Sequence, residues 1–167
     1  SHIRLAIHFI AALVLLCYVL WFALKLSVPV KEILPVETLK KLNTWLLALL
    51  TIQLVYGAFM AGLHAALAAS TWPDINGMWW PTGMFAQGGL LADITHNQIT
   101  IQFLHRGLAY LITILVAIWW WKAGQTPSYS LLHKVRYLPL LLVLLQVLLG
   151  VLTILGSQVK IPISYAI

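Results

Sequence analysis

Asn97-Gln98-Ile99-Thr100-Ile101-Gln102-Phe103-Leu104-His105-Arg106-Gly107-Leu108-Ala109-Tyr110-Leu111-Ile112-Thr113-Ile114-Leu115-Val116-Ala117-Ile118-Trp119-Trp120-Trp121 decides the fold of this chain. Its only formal charge is Arg106, and at about 1.5 Å per helical residue it is long enough to cross a hydrocarbon core of about 30 Å. Leu5 to Leu26, Leu42 to Ala68 and Tyr137 to Leu155 read the same way, and a fifth apolar segment begins at Pro162, a residue favoured in the first turn of a helix. Composition agrees: 62% of residues are hydrophobic and 8% are charged, and the mean hydropathy is +0.94, whereas soluble domains carry about 25% charged residues. The expected class is all-α, a polytopic membrane helix bundle of four spanning helices with a fifth beginning at the C-terminus. The chain starts at Ser1 and stops one turn into the segment opened by Pro162, so both ends read as cuts within a longer protein. The first segment is too long for a signal-peptide core and has no small-residue cleavage site after it, which excludes a targeting sequence.

The net charge of +6 labels topology. Lys25, Lys31, Lys40 and Lys41 flank the first connection, and Lys122, Lys134 and Arg136 flank the third. The second connection, 69–96, holds Asp74 and Asp93 and neither Lys nor Arg. By the positive-inside rule the first and third connections face the cytoplasm or matrix and the second faces outward. A basic patch for nucleic acid is thereby excluded. Cys17 lies in mid-helix, where a small apolar packing role is the ordinary one.

Two histidines sit in the outer parts of apolar segments: His8 in Arg4-Leu5-Ala6-Ile7-His8-Phe9, and His105. From the helical rise, His8 lies roughly 6 to 8 Å and His105 roughly 12 Å in from the outer helix start. An imidazole at such depth needs a partner, and metals, haem irons and proton pathways are the usual ones. Thr95, Gln98, Gln102 and His105 recur at helical spacing on one face, which must turn inward, and Arg106 borders it. Arg106 has the fork of donors that meets a carboxylate such as a haem propionate. Alternatively, Gln102 and Arg106 satisfy backbone or loop groups between helices. His64, near the outer end of the second segment, reads as interfacial, while His2, His96 and His133 read as solvated.

The first and third segments each carry one outer histidine. The second and fourth each carry Gln-x-x-x-Gly, Gln53 with Gly57 and Gln146 with Gly150, as a duplicated helix pair would. Gly57-Ala61-Ala65 and Ala58-Gly62-Ala66 form small-residue rows that allow close helix approach, and they read as packing. Between the segments, Ser70-Thr71-Trp72-Pro73-Asp74-Ile75-Asn76-Gly77-Met78-Trp79-Trp80-Pro81 combines an Asn-Gly turn with prolines and tryptophans, which predicts an ordered stretch. It reads as a lid that packs Trp72 and Trp80 over a buried cofactor, or as an aromatic belt at the headgroups. The run Trp119-Trp120-Trp121 reads as a belt on the opposite side.

These residues resemble a known family. Phe59-Met60-Ala61-Gly62-Leu63-His64-Ala65-Ala66-Leu67-Ala68, followed by Thr71-Trp72-Pro73, Asn76-Gly77 and Trp80-Pro81, is similar to the fifth helix and following loop of the haem A synthases. Gln102-Phe103-x-His105-Arg106-x-x-Ala109-Tyr110 resembles their sixth-helix haem motif, Arg4-Leu5-Ala6-x-His8 the start of their fourth helix, and the last span with Ile161-Pro162 their seventh helix and the entry to the eighth. The resemblance covers essentially the whole chain and implies an eight-helix protein of two pseudo-symmetric halves. Residues 1–26 are then the last helix of the first half, 27–41 a cytoplasmic-side connection, and 42–167 a truncated second half with outer loop 69–96.

The implied activity is oxidation of a methyl group of haem O to a formyl group, giving haem A for terminal oxidases. The implied cofactor-binding residues are His8, His105, Gln102, Arg106 and Trp72. Of these, His8 and His105 are the iron ligands, His8 at the first-half site where haem O reacts and His105 at the second-half site that holds haem b. His64 stands where the family usually has another residue. Implied partners are haem O, the lipid bilayer, haem O synthase and the terminal oxidase assembly machinery, with homo-oligomerisation left open. The implied location is the bacterial plasma membrane or the mitochondrial inner membrane. The chain holds four acidic residues. Glu32 and Glu37 fall on the cytoplasmic side and Asp74 and Asp93 in the outer loop, so no catalytic residue is expected within this segment. A non-enzymatic b-type cytochrome subunit and a haem carrier in oxidase assembly are the alternative readings.

Overall fold

The computed structural model describes residues 2–27, 36–86 and 88–157. Its elements in chain order are α1 (His2–Ser27), α2 (Glu37–Gly62), α3 (Leu90–His96), α4 (Gln98–Ala123), α5 (Leu131–Val135) and α6 (Tyr137–Gly156). Four helical stretches are long and apolar enough to cross a membrane: Ile7–Ser27, Glu37–Gly62, Gln98–Ala123 and Leu131–Gly156. The helix starting at Pro162 lies outside the described residues.

α4 is the centre of the bundle: α2, α3 and α6 pack on it, and α1 packs on α2. Leu39, Leu46, Ile112, Val116, Trp119 and Ala123 form the core toward the Lys-rich end, and Ala58, Phe59 and Ile101 form a smaller one toward the outer end. The helix directions agree with the charge labels. Lys25 and Lys122 lie in the last turns of α1 and α4, and Lys40 and Lys41 lie in the opening turns of α2. Most leucines of α6 remain exposed, as expected of a face turned to hydrocarbon or to further helices.

Four expectations need correction. α2 starts at Glu37 and ends at Gly62, shorter at its outer end than the apolar run to Ala68. His64 there adopts φ 51°, the left-handed conformation that commonly ends helices, and a single 3-10 turn follows over Ala65–Leu67. Thr95 does not share the polar face of α4. Asn97 is extended, ends α3, and caps α4 by accepting from the backbone N–H groups of Ile99 and Thr100, so Thr95 belongs to the preceding helix. The connection 69–96 is in part helical, since α3 occupies its end. Finally, Trp119, Trp120 and Trp121 are not one belt, because successive helical residues point about 100° apart. Trp119 is in the core, Trp120 packs against Tyr137 with the Arg136 guanidinium above it, and Trp121 alone is well exposed.

Candidate functional site

Ending α2 at Gly62 leaves backbone carbonyls that need donors. The last carbonyls of a helix have no intrahelical donor, and in hydrocarbon no water replaces it. In the last turn of α2 the Phe59 and Ala61 carbonyls are met by the N–H groups of Leu63 and His64, and side chains of α4 donate to the carbonyls from Leu63 onward. Gln98 Nε2 donates to the Leu63 carbonyl at 2.6 Å, and Gln102 Nε2 to those of Ala69 at 2.7 Å and Ala65 at 3.4 Å. Arg106 donates to the carbonyls of Asp74 at 2.6 Å, Thr71 at 2.8 Å and Ala69 at 3.4 Å. From the end of α6, Ser157 Oγ reaches the Ala66 carbonyl at 3.2 Å. Gln102 is 0% exposed and Arg106 is buried, so their part of the clasp is internal, while Gln98 is exposed. Gln102 and Arg106 therefore hold backbone carbonyls of the loop, the alternative that the sequence leaves open for them, and Gln98 joins them at Leu63. Arg106 Nε is buried without a partner among the described residues.

The loop they hold is ordered. Ile75 and Met78 pair across Asn76-Gly77, whose φ values of 53° and 82° suit the tight turn that Asn-Gly favours. Asp74 Oδ1 accepts from the Gly77 N–H at 2.9 Å, and Thr71 Oγ1 accepts from the Asn76 N–H at 2.7 Å while donating to the Asp74 carbonyl. The Asp74 carboxyl is held below its ordinary value chiefly by the Gly77 N–H, then by the Thr71 hydroxyl, with a smaller contribution from the Arg106 charge. Trp80 meets Phe103 of α4 edge-on at 5.2 Å while keeping 71% of its surface exposed, and Trp72 is 44% exposed.

One turn deeper than Gln102, His105 stands at the α2–α4 contact. Its Nε2 lies 3.4 Å from Gln53 Nε2, and its ring lies over Gly57, where a Cβ would sit 3.5 Å from Cε1. His105 Nδ1 and Gln53 Oε1 are buried with no partner among the described residues. An imidazole with an unsatisfied ring nitrogen inside an apolar bundle has the donor chemistry that an iron or another borderline metal accepts. The described residues contain no cluster of three or more His, Cys, Asp or Glu side chains, so a metal held here alone by the protein is not the fit; a haem, which needs only axial ligands, is. His8 is exposed on α1 and His64 is exposed at the left-handed turn, and among the described residues the hydrogen-bonding neighbour of His105 is Gln53 and neither of these histidines. The sequence reading passed over Gln53 and Gly57 as site residues. Their recurrence as Gln146 and Gly150 was the available signal.

Comparison with known proteins follows the same lines. A 34% identical relative from Wolbachia pipientis subsp. Culex pipiens, named heme A synthase, aligns over 100% of this chain and 48% of its own length. Another of that name from Wolbachia pipientis wMel is 37% identical over 100% of the chain and 45% of its own length. One from Rhodospirillum centenum is 34% identical over 99% and 44%. The chain thus spans about half the length of the curated relatives it matches. No solved structure matches it. Its four candidate spans and bacterial relatives make it an integral protein of the plasma membrane. The family model described as cytochrome oxidase assembly protein, COX15-CtaA, matches residues 1–167, and the chain belongs to that family.

Proposed function

We propose that this chain is the second-half haem-binding part, with one helix of the first half, of a haem A synthase that oxidises a methyl of haem O to a formyl group for terminal oxidases. The observation that carries the reading is His105, an imidazole with a buried, unpartnered Nδ1 in the apolar contact between α2 and α4. In this reading His105 would hold a haem b, and His8 would be one of the two histidines at the haem O site. A bound haem b supplies a one-electron redox centre. The chain's own work is to hold the imidazole, to keep the site apolar through Ala58, Phe59 and Ile101, and to close its outer end with the clasped loop. Arg106 serves the loop carbonyls in this arrangement, and its unpartnered Nε is the donor left for a propionate. Trp72, partly exposed in the clasped loop, is a residue that could meet a cofactor edge.

No acid or base is assigned here. Glu37 opens α2 at the Lys-rich end and Asp74 and Asp93 lie in the outer loop, so groups that move protons at a haem methyl belong to helices outside this segment. Haem O synthase and the oxidase assembly machinery are the partners that donate haem O and receive haem A.

The test uses the purified full-length protein that carries this segment. His105→Ala removes the low-spin bis-histidine spectrum of the second-half haem, and His64→Ala leaves it intact. Retention of that spectrum at full occupancy in His105→Ala, with loss in His64→Ala, overturns the ligand assignment.

A further inference from the structure

Gln53 belongs to the same helix as Gly57, one turn away, and both touch one object, the His105 ring. At 3.4 Å the amide nitrogen is beyond the usual hydrogen-bond range of about 2.7 to 3.2 Å, so it steadies Nε2 without engaging it fully. Gly57 matters for a different reason. The ring edge at Cε1 faces Gly57 at a distance where an added Cβ would make an ordinary van der Waals contact, so a methyl fits and a larger side chain would push the ring away. One residue thus fixes the polar edge of the imidazole and the other fixes its distance from α2. The buried Oε1 of Gln53 is a spare acceptor a few ångströms from the ring, able to take a ring N–H after an amide rotation.

We propose that Gln53 is the positioning residue for His105, setting the ring's orientation and its strength as a ligand through the side-chain amide, with Gly57 providing the seat. The proposal rests on the reading of His105 as a haem ligand. Groups that hydrogen-bond a ligating histidine orient the ring and raise its donor strength, and their loss costs about 10- to 100-fold in metal affinity.

The experiment compares Gln53→Glu and Gln53→Met in the full-length haem-loaded protein. Both keep the side-chain length, so the packing of α2 on α4 is retained. The readouts are the midpoint potential of the second-half haem, the g-values of its low-spin electron paramagnetic resonance signal, and haem retention against apomyoglobin. Gln53→Glu is expected to move the potential down. Gln53→Met moves it up and loses haem at least about tenfold faster. Potentials and g-values unchanged in both variants, or displaced by the same amount in the same direction, overturn the proposal and leave Gln53 a packing residue. His105→Ala is the control. If it keeps the low-spin haem, the ligand reading itself falls; if it loses that haem while the Gln53 variants do not diverge, only the positioning role falls.

Discussion

Replacing Arg106 with Met keeps the length and apolar stem of the side chain and removes the guanidinium that holds the outer loop. Two short charged hydrogen bonds disappear, to the Asp74 carbonyl at 2.6 Å and the Thr71 carbonyl at 2.8 Å, along with a longer one to Ala69 at 3.4 Å. Hydrogen bonds to charged groups contribute about 1.5–3 kcal/mol each. Against that, the variant no longer buries a charge, and the Asp74 carbonyl keeps its bond from Thr71 Oγ1. The net loss in loop closure is about 2–4 kcal/mol, which at about 1.4 kcal/mol per factor of ten raises the open population about 30- to 1000-fold. Amide hydrogen exchange of 69–78 in the full-length protein in nanodiscs reads this directly, and the α4 amides below His105 serve as the unaffected reference. Unchanged loop protection in Arg106→Met, accompanied by a changed haem spectrum, refutes the clasp and restores the propionate contact as the function of Arg106.

Gln102→Leu loosens the same loop by a smaller amount, about 1–2 kcal/mol, because the Ala69 carbonyl retains the longer Arg106 contact and an unpartnered Oε1 is removed along with the donor; the same exchange measurement ranks the two variants. Asp74, held below its ordinary carboxyl range, stabilises the loop wherever it is ionised in both the folded and unfolded chain, and that contribution is lost as pH falls through the depressed value. Exchange of the Gly77 amide therefore stays flat from neutral pH to about 4 once intrinsic rates are divided out, and rises below it. Asp74→Asn removes that rise. In the full-length gene, the alternation of histidine and Gln-x-x-x-Gly helices places a histidine in the outer half of the helix that follows α6, facing Gln146 and Gly150; sequencing decides it, and a helix without His, Met or Lys there contradicts both the repeat and the paired ligation of haem b.

The membrane architecture was legible because each span is a long apolar run and because Lys and Arg mark one side. Those signals concern single segments, and the structure returns them within a few residues for α1, α4 and α6. The outer end of α2 was not legible. Gly62-Leu63-His64-Ala65-Ala66 is as apolar and helix-compatible as what precedes it, and the stop is enforced by donors on α4 that lie far along the chain. Of the face Gln98, Gln102 and His105, the two deeper residues turn inward while Gln98 stays exposed, and what Gln102 and Arg106 meet is backbone, which leaves no mark in a sequence. Trp119 to Trp121 show a related limit: composition names a belt, and only the packing of α4 against α2 and α6 tells which ring is buried.

The clasp also bears on how the polypeptide enters the membrane. An arginine at the centre of an inserting helix costs about 2.5–3.5 kcal/mol; Arg106, in the outer part of α4, carries a share of that cost, and Gln98 and Gln102 add to the polarity of the same segment. The carbonyls that receive these groups belong to the preceding helix exit and loop, so they are synthesised first and can already stand outside the bilayer when α4 leaves the ribosome. α4 then completes its passage by docking onto acceptors waiting at the far side. The Leu63–Asp74 segment is thus a landing site for the next helix during biogenesis, and a ribosome-bound chain that ends beyond α4 should hold that helix less firmly in the membrane when 63–74 is replaced by a glycine-serine linker.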